Sequence, residues 1–214
     1  MSPPPRYAPV AIAVAVAIAV AVALLVAGSS HHGSATTGTS ALPASTFAGA
    51  ALPGGPPAPG FTLTDQSGQS TSLSAYRGQV VVLAFLFSRC APACVLIAQQ
   101  VRGALDALAQ PVPVLLVSVD PSADTPALVR AFLAQVGLAG RVRYLSGPRS
   151  ALAAVWREYR VVTPSAGRSA FEASASVLLI DRGGRERVIY QQEQLTPEAL
   201  VHDIGRLQSP PNPG

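Results

Sequence analysis

Two continuous apolar runs, Val80–Phe87 (VVVLAFLF) and Val112–Val119 (VPVLLVSV), constrain the fold more than any other feature. A strand covered on one face alternates apolar with polar residues. A run without alternation belongs to a strand buried on both faces, inside a sheet that helices sandwich. Between the runs, Ile97, Val101, Leu105 and Leu108 recur at spacings of four, four and three. That is one apolar stripe on a helix.

The flanking segments extend this pattern. FTLTD and STSL, separated by Gln66-Ser67-Gly68-Gln69, read as a hairpin. Thr125 and Pro126 read as N-cap and first residue of a helix running to Val136 and closed by Gly137. Val142–Leu145 reads as a short strand, and Arg149–Tyr159 as a helix with Leu152, Val155, Trp156 and Tyr159 inward. Ser176–Ile180 and Glu186–Tyr190 flank the turn Asp181-Arg182-Gly183-Gly184, and Thr196-Pro197 opens a last helix. The order β-β-β-α-β-α-β-α-β-β-α predicts an α/β domain over residues 61–208, a central mixed sheet flanked by helices.

Upstream of it the chain changes character. Residues 1–9 read as a short cytoplasmic N-terminus. Residues 10–27 (VAIAVAVAIAVAVALLVA) are 18 residues without a polar side chain. This length reaches the range of about 17–25 residues that spans a bilayer and exceeds the usual signal-peptide core of about 7–15. The expectation is a single-pass anchor in the cell membrane with the C-terminal domain outside the cytoplasm. The alternative is a secreted protein after signal cleavage at the small residues Ala27, Gly28 and Ser29. Residues 28–60, rich in Gly, Ser, Ala, Thr and Pro, read as a flexible linker, and 209–214 as a disordered tail.

Composition excludes several functions. The 15 basic residues are all arginine, and against 11 acids they leave +4, spread along the chain rather than gathered in a stripe. No nucleic-acid surface is expected. Two cysteines exclude a disulfide-rich miniprotein and a four-cysteine zinc module. There is no phosphate loop, serine-nucleophile elbow or paired-histidine zinc motif.

The chemistry rests on Arg89-Cys90-Ala91-Pro92-Ala93-Cys94, just after a buried strand and at the start of a helix. A helix N-terminus offers unpaired N–H groups and the positive end of a dipole, both of which stabilise a thiolate. Four-residue spacing across the first turn puts the two sulfurs on one side, within disulfide reach. Such a pair can exchange disulfides, hold Cu(I), or supply half of a zinc site. A purely structural bridge would close so small a loop that it would restrain little of the unfolded chain. In exchange, Cys90 is expected to attack and Cys94 to resolve.

The domain resembles the Sco/SenC family, membrane-anchored thioredoxin-like proteins of cytochrome c oxidase copper assembly. The resemblance is carried by Tyr76-Arg77-Gly78, by FLFSRCAPAC with its C-x₃-C spacing, by Val119-Asp120-Pro121-Ser122-Ala123-Asp124-Thr125-Pro126, and by Ser174–Asp181 (SASVLLID). It implies a thioredoxin-like fold, Cys90 and Cys94 as both catalytic thiols and copper ligands, and a protein thiol client such as a cytochrome c oxidase subunit. It also exposes a departure. The family's copper-ligand histidine falls in a D-H-S segment before the later strand, and here that segment is Glu172-Ala173-Ser174, with alanine at the ligand position. A methyl group cannot coordinate. The only histidines are His31, His32 and His202. The first two lie in the linker, and His202 reads as a structural residue of the last helix. Glu172 offers an oxygen, a poor ligand for Cu(I).

The leading expectation is therefore thiol–disulfide exchange, a thiol–disulfide oxidoreductase reading. The alternatives are a Cu(I) metallochaperone using Cys90 and Cys94 without the third ligand, and a non-catalytic docking protein. Asp120 and Asp124 read as turn and cap residues, Trp156 and Tyr159 as core, and Arg141, Arg143 and Arg149 as a solvated face.

Overall fold

The computed structural model describes residues 46–90 and 92–209. The expected anchor, most of the linker and nearly all of the tail lie outside the described residues. Among the described residues no helix is long and apolar enough to cross a membrane.

Eight strands form one sheet: β1 Ala50–Ala51, β2 Thr62–Asp65, β3 Ser70–Ser72, β4 Val81–Leu86, β5 Val114–Ser118, β6 Arg143–Ser146, β7 Ser176–Ile180 and β8 Glu186–Gln191. Their order across the sheet is β1-β8-β7-β4-β5-β6-β2-β3. Among the described residues the α-helices are α1 Ala93–Ala107, α2 Pro126–Gln135, α3 Arg149–Glu158, α4 Arg168–Ser174 and α5 Pro197–Gln208.

The two apolar runs become neighbouring strands. β4 and β5 pair in parallel, Val82 opposite Val114 through Leu86 opposite Ser118, with α1 as their crossover. Every residue of both strands is buried. β6 adds in parallel beside β5, while β7 pairs antiparallel to β4, which makes the sheet mixed as the pattern predicts.

Helix boundaries follow their caps. Thr125 accepts a bond from the Leu128 N–H and Thr196 from the Ala199 N–H, each with proline at the next position. The α1 stripe differs from the expected one. Its buried residues are Ala93, Cys94, Ile97, Ala98, Val101 and Ala104, whereas Leu105 and Leu108 are only partly covered. Small residues line the inner face because α1 packs closely against α5. A side chain at Gly103 would meet Pro197 at 2.8 Å.

Registers assign the faces, since directly opposed residues point the same way. Ala84, Val177 and Tyr190 are aligned across β4, β7 and β8 and face α5, whose Asp203 receives the Tyr190 hydroxyl. Leu83, Leu178 and Ile189 share the opposite face, as does Phe85, against whose ring Tyr159 packs at 5.3 Å.

The domain starts earlier than composition suggests. Residues 46–60, read as the end of the linker, instead form a strap along the sheet edge. Ala50 and Ala51 pair with Ile189 and Val188, and Pro57 bridges Arg185. The missed signal is a long-range one. Asp203 is fully buried and accepts from the Ala48 N–H (2.9 Å), the Gly49 N–H (3.0 Å), the Tyr190 hydroxyl and, at 2.7 Å, the His202 ring. Gly49 is required there, because a Cβ would sit 2.6 Å from Val188 and 2.7 Å from the Tyr190 ring. Backbone bonds to a side chain 150 residues away leave no trace in local composition.

This latch predicts a pH dependence. Burial alone would raise the Asp203 carboxyl, but the Gly49 N–H, the Tyr190 hydroxyl, the Ala48 N–H and the His202 ring outweigh it and hold it below the ordinary carboxylate value. A lowered carboxylate stabilises the fold fully above its unfolded value and loses that contribution as pH falls through the folded one. Thermal unfolding from pH 7 down to pH 2.5 should show stability falling at the acid end. Asp203→Asn should cost about 2 kcal/mol at neutral pH and flatten the acid slope. An unchanged slope in that variant would remove the latch from the account.

Candidate functional site

The site forms where β4 ends. After Leu86 the chain leaves the sheet through Phe87, Ser88 and Arg89, turns at Cys90, whose N–H returns to the Phe87 carbonyl at 3.1 Å, and enters α1 at Ala93. Cys94 is thus the second residue of the helix. Cys90 lies three residues before it. Pro92 is the N-cap and makes no side-chain cap bond, so no side chain competes for the open N–H groups of the first turn.

A disulfide joins Cys90 to Cys94, with Cα atoms 5.4 Å apart. The structure therefore brings together the two residues that the sequence singled out. It also adds something the sequence did not suggest: Cys90 is 1% and Cys94 0% exposed. The helix-terminus setting reads as a reactive position, and both sulfurs lie within the apolar core. The short helix α4, which local pattern missed because it has seven residues, no side-chain cap and Gly167 at φ 116° before it, packs beside the turn that leads into Cys90. Phe171 of α4 is buried and packs edge-on to Phe87 at 5.5 Å. Arg168 lies over the same Phe87 ring and donates to the Arg89 carbonyl at 3.4 Å. Helix α4 is thus fastened to both residues that lead into Cys90.

Beneath the same loop is a residue that sequence reading set aside. Asp124 is 7% exposed and accepts from the Ser88 N–H at 2.7 Å, the Ser118 hydroxyl and the Tyr144 hydroxyl at 2.6 Å. It ties the end of β4 to β5 and β6 two residues before Cys90. Burial, with the negative charge of Asp124 added, pushes the Tyr144 phenol well above its ordinary value, so Tyr144 stays a neutral donor. A signal was available: Thr125 already caps α2, so Asp124 is not needed as the cap. The Ser88 hydroxyl beside it is buried without a partner.

The other candidates fall apart from the dithiol. Glu172 has one buried, unpartnered carboxylate oxygen. Ala173 is exposed and lines a cavity on the α3 side of the sheet. His202 belongs to the Asp203 latch. His31 and His32 lie outside the described residues. Among the described residues no three His, Cys, Asp or Glu side chains converge closely enough to hold a metal ion. Among the described residues the donors at this place do not make up a three-ligand copper centre; they are two soft sulfurs. Trp156 is core, its indole N–H bonded to the Ser118 carbonyl at 2.9 Å. Arg141 and Arg143 pair with Asp106 and Asp65, and Arg149 lies over Trp156.

A mixed sheet flanked by helices, with a cysteine pair at the junction of a central strand and its crossover helix, defines a thioredoxin-like dithiol protein. The chain belongs to the SCO1/SenC family, whose model matches residues 53–209. That match includes part of the strap. Among solved structures, apo Sco1 from Thermus thermophilus is similar at 23% identity and a TM-score of 0.62, covering 78% of this chain and 99% of that one. ScoI from Bradyrhizobium japonicum, solved with copper bound, is similar at 26% identity and a TM-score of 0.54, covering 70% and 98%. BsSco is similar at 21% identity and a TM-score of 0.59, covering 73% and 96%; it is a member of the Sco family of cytochrome c oxidase assembly proteins in which a disulfide switch has been identified. No curated protein matches the chain.

Proposed function

We propose that this protein performs thiol–disulfide exchange through Cys90 and Cys94 on a protein client, in cytochrome c oxidase assembly or copper homeostasis. The observation that carries the reading is a pair of cysteines in bonding geometry at a helix start, with no third metal donor beside them among the described residues. Family membership supports the setting. In the reducing direction the Cys90 thiolate attacks one sulfur of a client disulfide, and the client's other sulfur leaves as a thiolate. The Cys94 thiolate then attacks Cys90, forming the intramolecular disulfide and releasing the client's second thiolate. The client gains two electrons and this chain loses them. An external protein dithiol returns the chain to its reduced form.

The N-terminal apolar run supports a membrane tether, with the domain outside the cytoplasm, where such a client would lie. The second reading is a Cu(I) carrier. It is favoured by the copper bound in the Bradyrhizobium relative and by the two thiolates, which suit linear Cu(I).

The test of exchange is the reaction of the fully reduced chain with an oxidised C-x₃-C peptide under anaerobic, copper-free conditions. One peptide disulfide reduced per chain, with Cys90–Cys94 formed in step, is the expected result. A reduced chain that leaves the peptide oxidised while small disulfides do react would contradict the protein-client reading.

A further inference from the structure

The α3-side face of the sheet is not wholly covered. Between the chain that follows α3, helix α4 and the strap lies a cavity of about 550 Å³, well inside the range of about 300–1,000 Å³ that binding sites occupy. Its floor is a sheet surface at strand spacing, Phe85 on β4, Ser176 and Leu178 on β7, Ile189 and Gln191 on β8. Leu52 of the strap forms a side wall. The floor offers one apolar position on each of three neighbouring strands, Phe85, Leu178 and Ile189, with Ser176 and Gln191 as polar positions beside them, to the side chains of an extended segment.

Its charges are asymmetric. Glu158, Arg160 and Glu186 line it. Glu158 is engaged by Arg157 at 3.8 Å, but the Glu186 carboxylate makes no hydrogen bond and no ion pair among the described residues. Burial raises its carboxyl and Arg160 acts against that from a distance. Arg160 closes α3 at φ 54°, a conformation usual for glycine, with the Val161 N–H returning to the Trp156 carbonyl. A half-buried carboxylate lining a cavity, with no hydrogen-bond or ion-pair partner among the described residues, fits a cationic side chain.

The cavity is linked to the turn that leads into Cys90. Phe171 lines it and packs on Phe87, and α4 holds Arg89. Glu186 is level with Ile180, and Ile180 with Val81, nine residues before Cys90. At about 3.3 Å per residue the two ends lie at most about 30 Å apart along the sheet.

We infer that this cavity is the recognition groove for the client, binding an extended polypeptide segment with a lysine or arginine at Glu186, eight or nine residues from the client cysteine that meets Cys90. The inference rests on the exchange reading. An occupant also presses on α4, the element fastened over the approach to the buried sulfurs.

The probe is a set of short valine-containing peptides with one cysteine and a lysine, glutamine or glutamate eight residues from it, on either side. With the cysteine changed to serine, binding to the full oxidised chain is followed by fluorescence anisotropy. The lysine peptide should bind about fivefold or more tightly than the glutamate peptide, and Glu186→Gln should bring the ratio to about two or less. With the cysteine present as a glutathione mixed disulfide, the reduced chain should react faster with the lysine peptide by a similar factor. Equal binding of the lysine and glutamate peptides, or a preference that survives Glu186→Gln, would overturn the groove. A chain that reacts with no disulfide, glutathione disulfide included, would overturn exchange instead, and the binding ratio still decides the groove.

Discussion

Cys94→Ser will trap a client as a mixed disulfide on Cys90, and Cys90→Ser will abolish exchange to background. The two substitutions differ because the cysteines occupy different positions. Cys90 is in the turn leaving β4, three residues before the helix, and is the residue whose approach α4 and Arg89 frame. Cys94 is inside the first turn of α1 and has no exposed surface. On the exchange reading an external disulfide meets Cys90 first, in the turn, and Cys94 attacks once the mixed bond has formed. Removing the resolving thiol therefore leaves the first step intact and blocks release. Non-reducing electrophoresis after alkylation reads the outcome. Trapping on the Cys90→Ser variant instead would reverse the two roles.

Asp124→Ala is the substitution with the largest expected structural effect near the site. It removes one carboxylate and leaves the Ser88 N–H, the Ser118 hydroxyl and the Tyr144 hydroxyl without their acceptor in a buried place. Each orphaned donor costs about 1–3 kcal/mol, so a loss of about 3 kcal/mol or more is expected in chemical denaturation. Exchange should slow as well, since the turn into Cys90 loses its tie to the sheet. Asp124→Asn separates the two effects. Its amide oxygen still accepts from Ser88, and the two hydroxyls can rotate to accept from its amide N–H groups. That variant should keep most of the stability and most of the rate. A rate in Asp124→Ala equal to that of the unaltered chain would show that the tie does not position Cys90.

The sheet was readable because its evidence is local. Val80–Phe87 and Val112–Val119 need cover on both faces whatever the partner, and Thr125-Pro126 and Thr196-Pro197 carry their own helix starts. The cysteine pair was readable for the same reason, since strand, turn and helix are consecutive in the chain. What stayed hidden depends on distant contacts. The strap is held by Asp203 and by the space that Gly49 leaves for Tyr190. Helix α4 is held by the rings of Phe87 and Phe171 and by Arg168 on Arg89, none of which has a periodic signature. Asp124 looked like a cap because the bonds that bury it come from Ser88 and Tyr144, 36 and 20 residues away. The same limit applied to the dithiol itself. Its reactivity was read from the helix terminus and its burial was not, because burial depends on packing that the local pattern does not carry.

Ala173 shows the opposite case. One residue, read against the family pattern, stands where a copper-ligand histidine is expected, and among the described residues no other donor gathers at the sulfurs. The central claim is that the dithiol acts by exchange and that copper handling, where it occurs, is limited to two sulfurs. An anaerobic Cu(I) competition titration on the fully reduced chain, with Cys90→Ser as control, tests this most directly. The account predicts binding no tighter than that of a small dithiol. One-to-one binding far tighter than that, lost in Cys90→Ser, would contradict it and identify the chain as a copper carrier with a ligand set of its own.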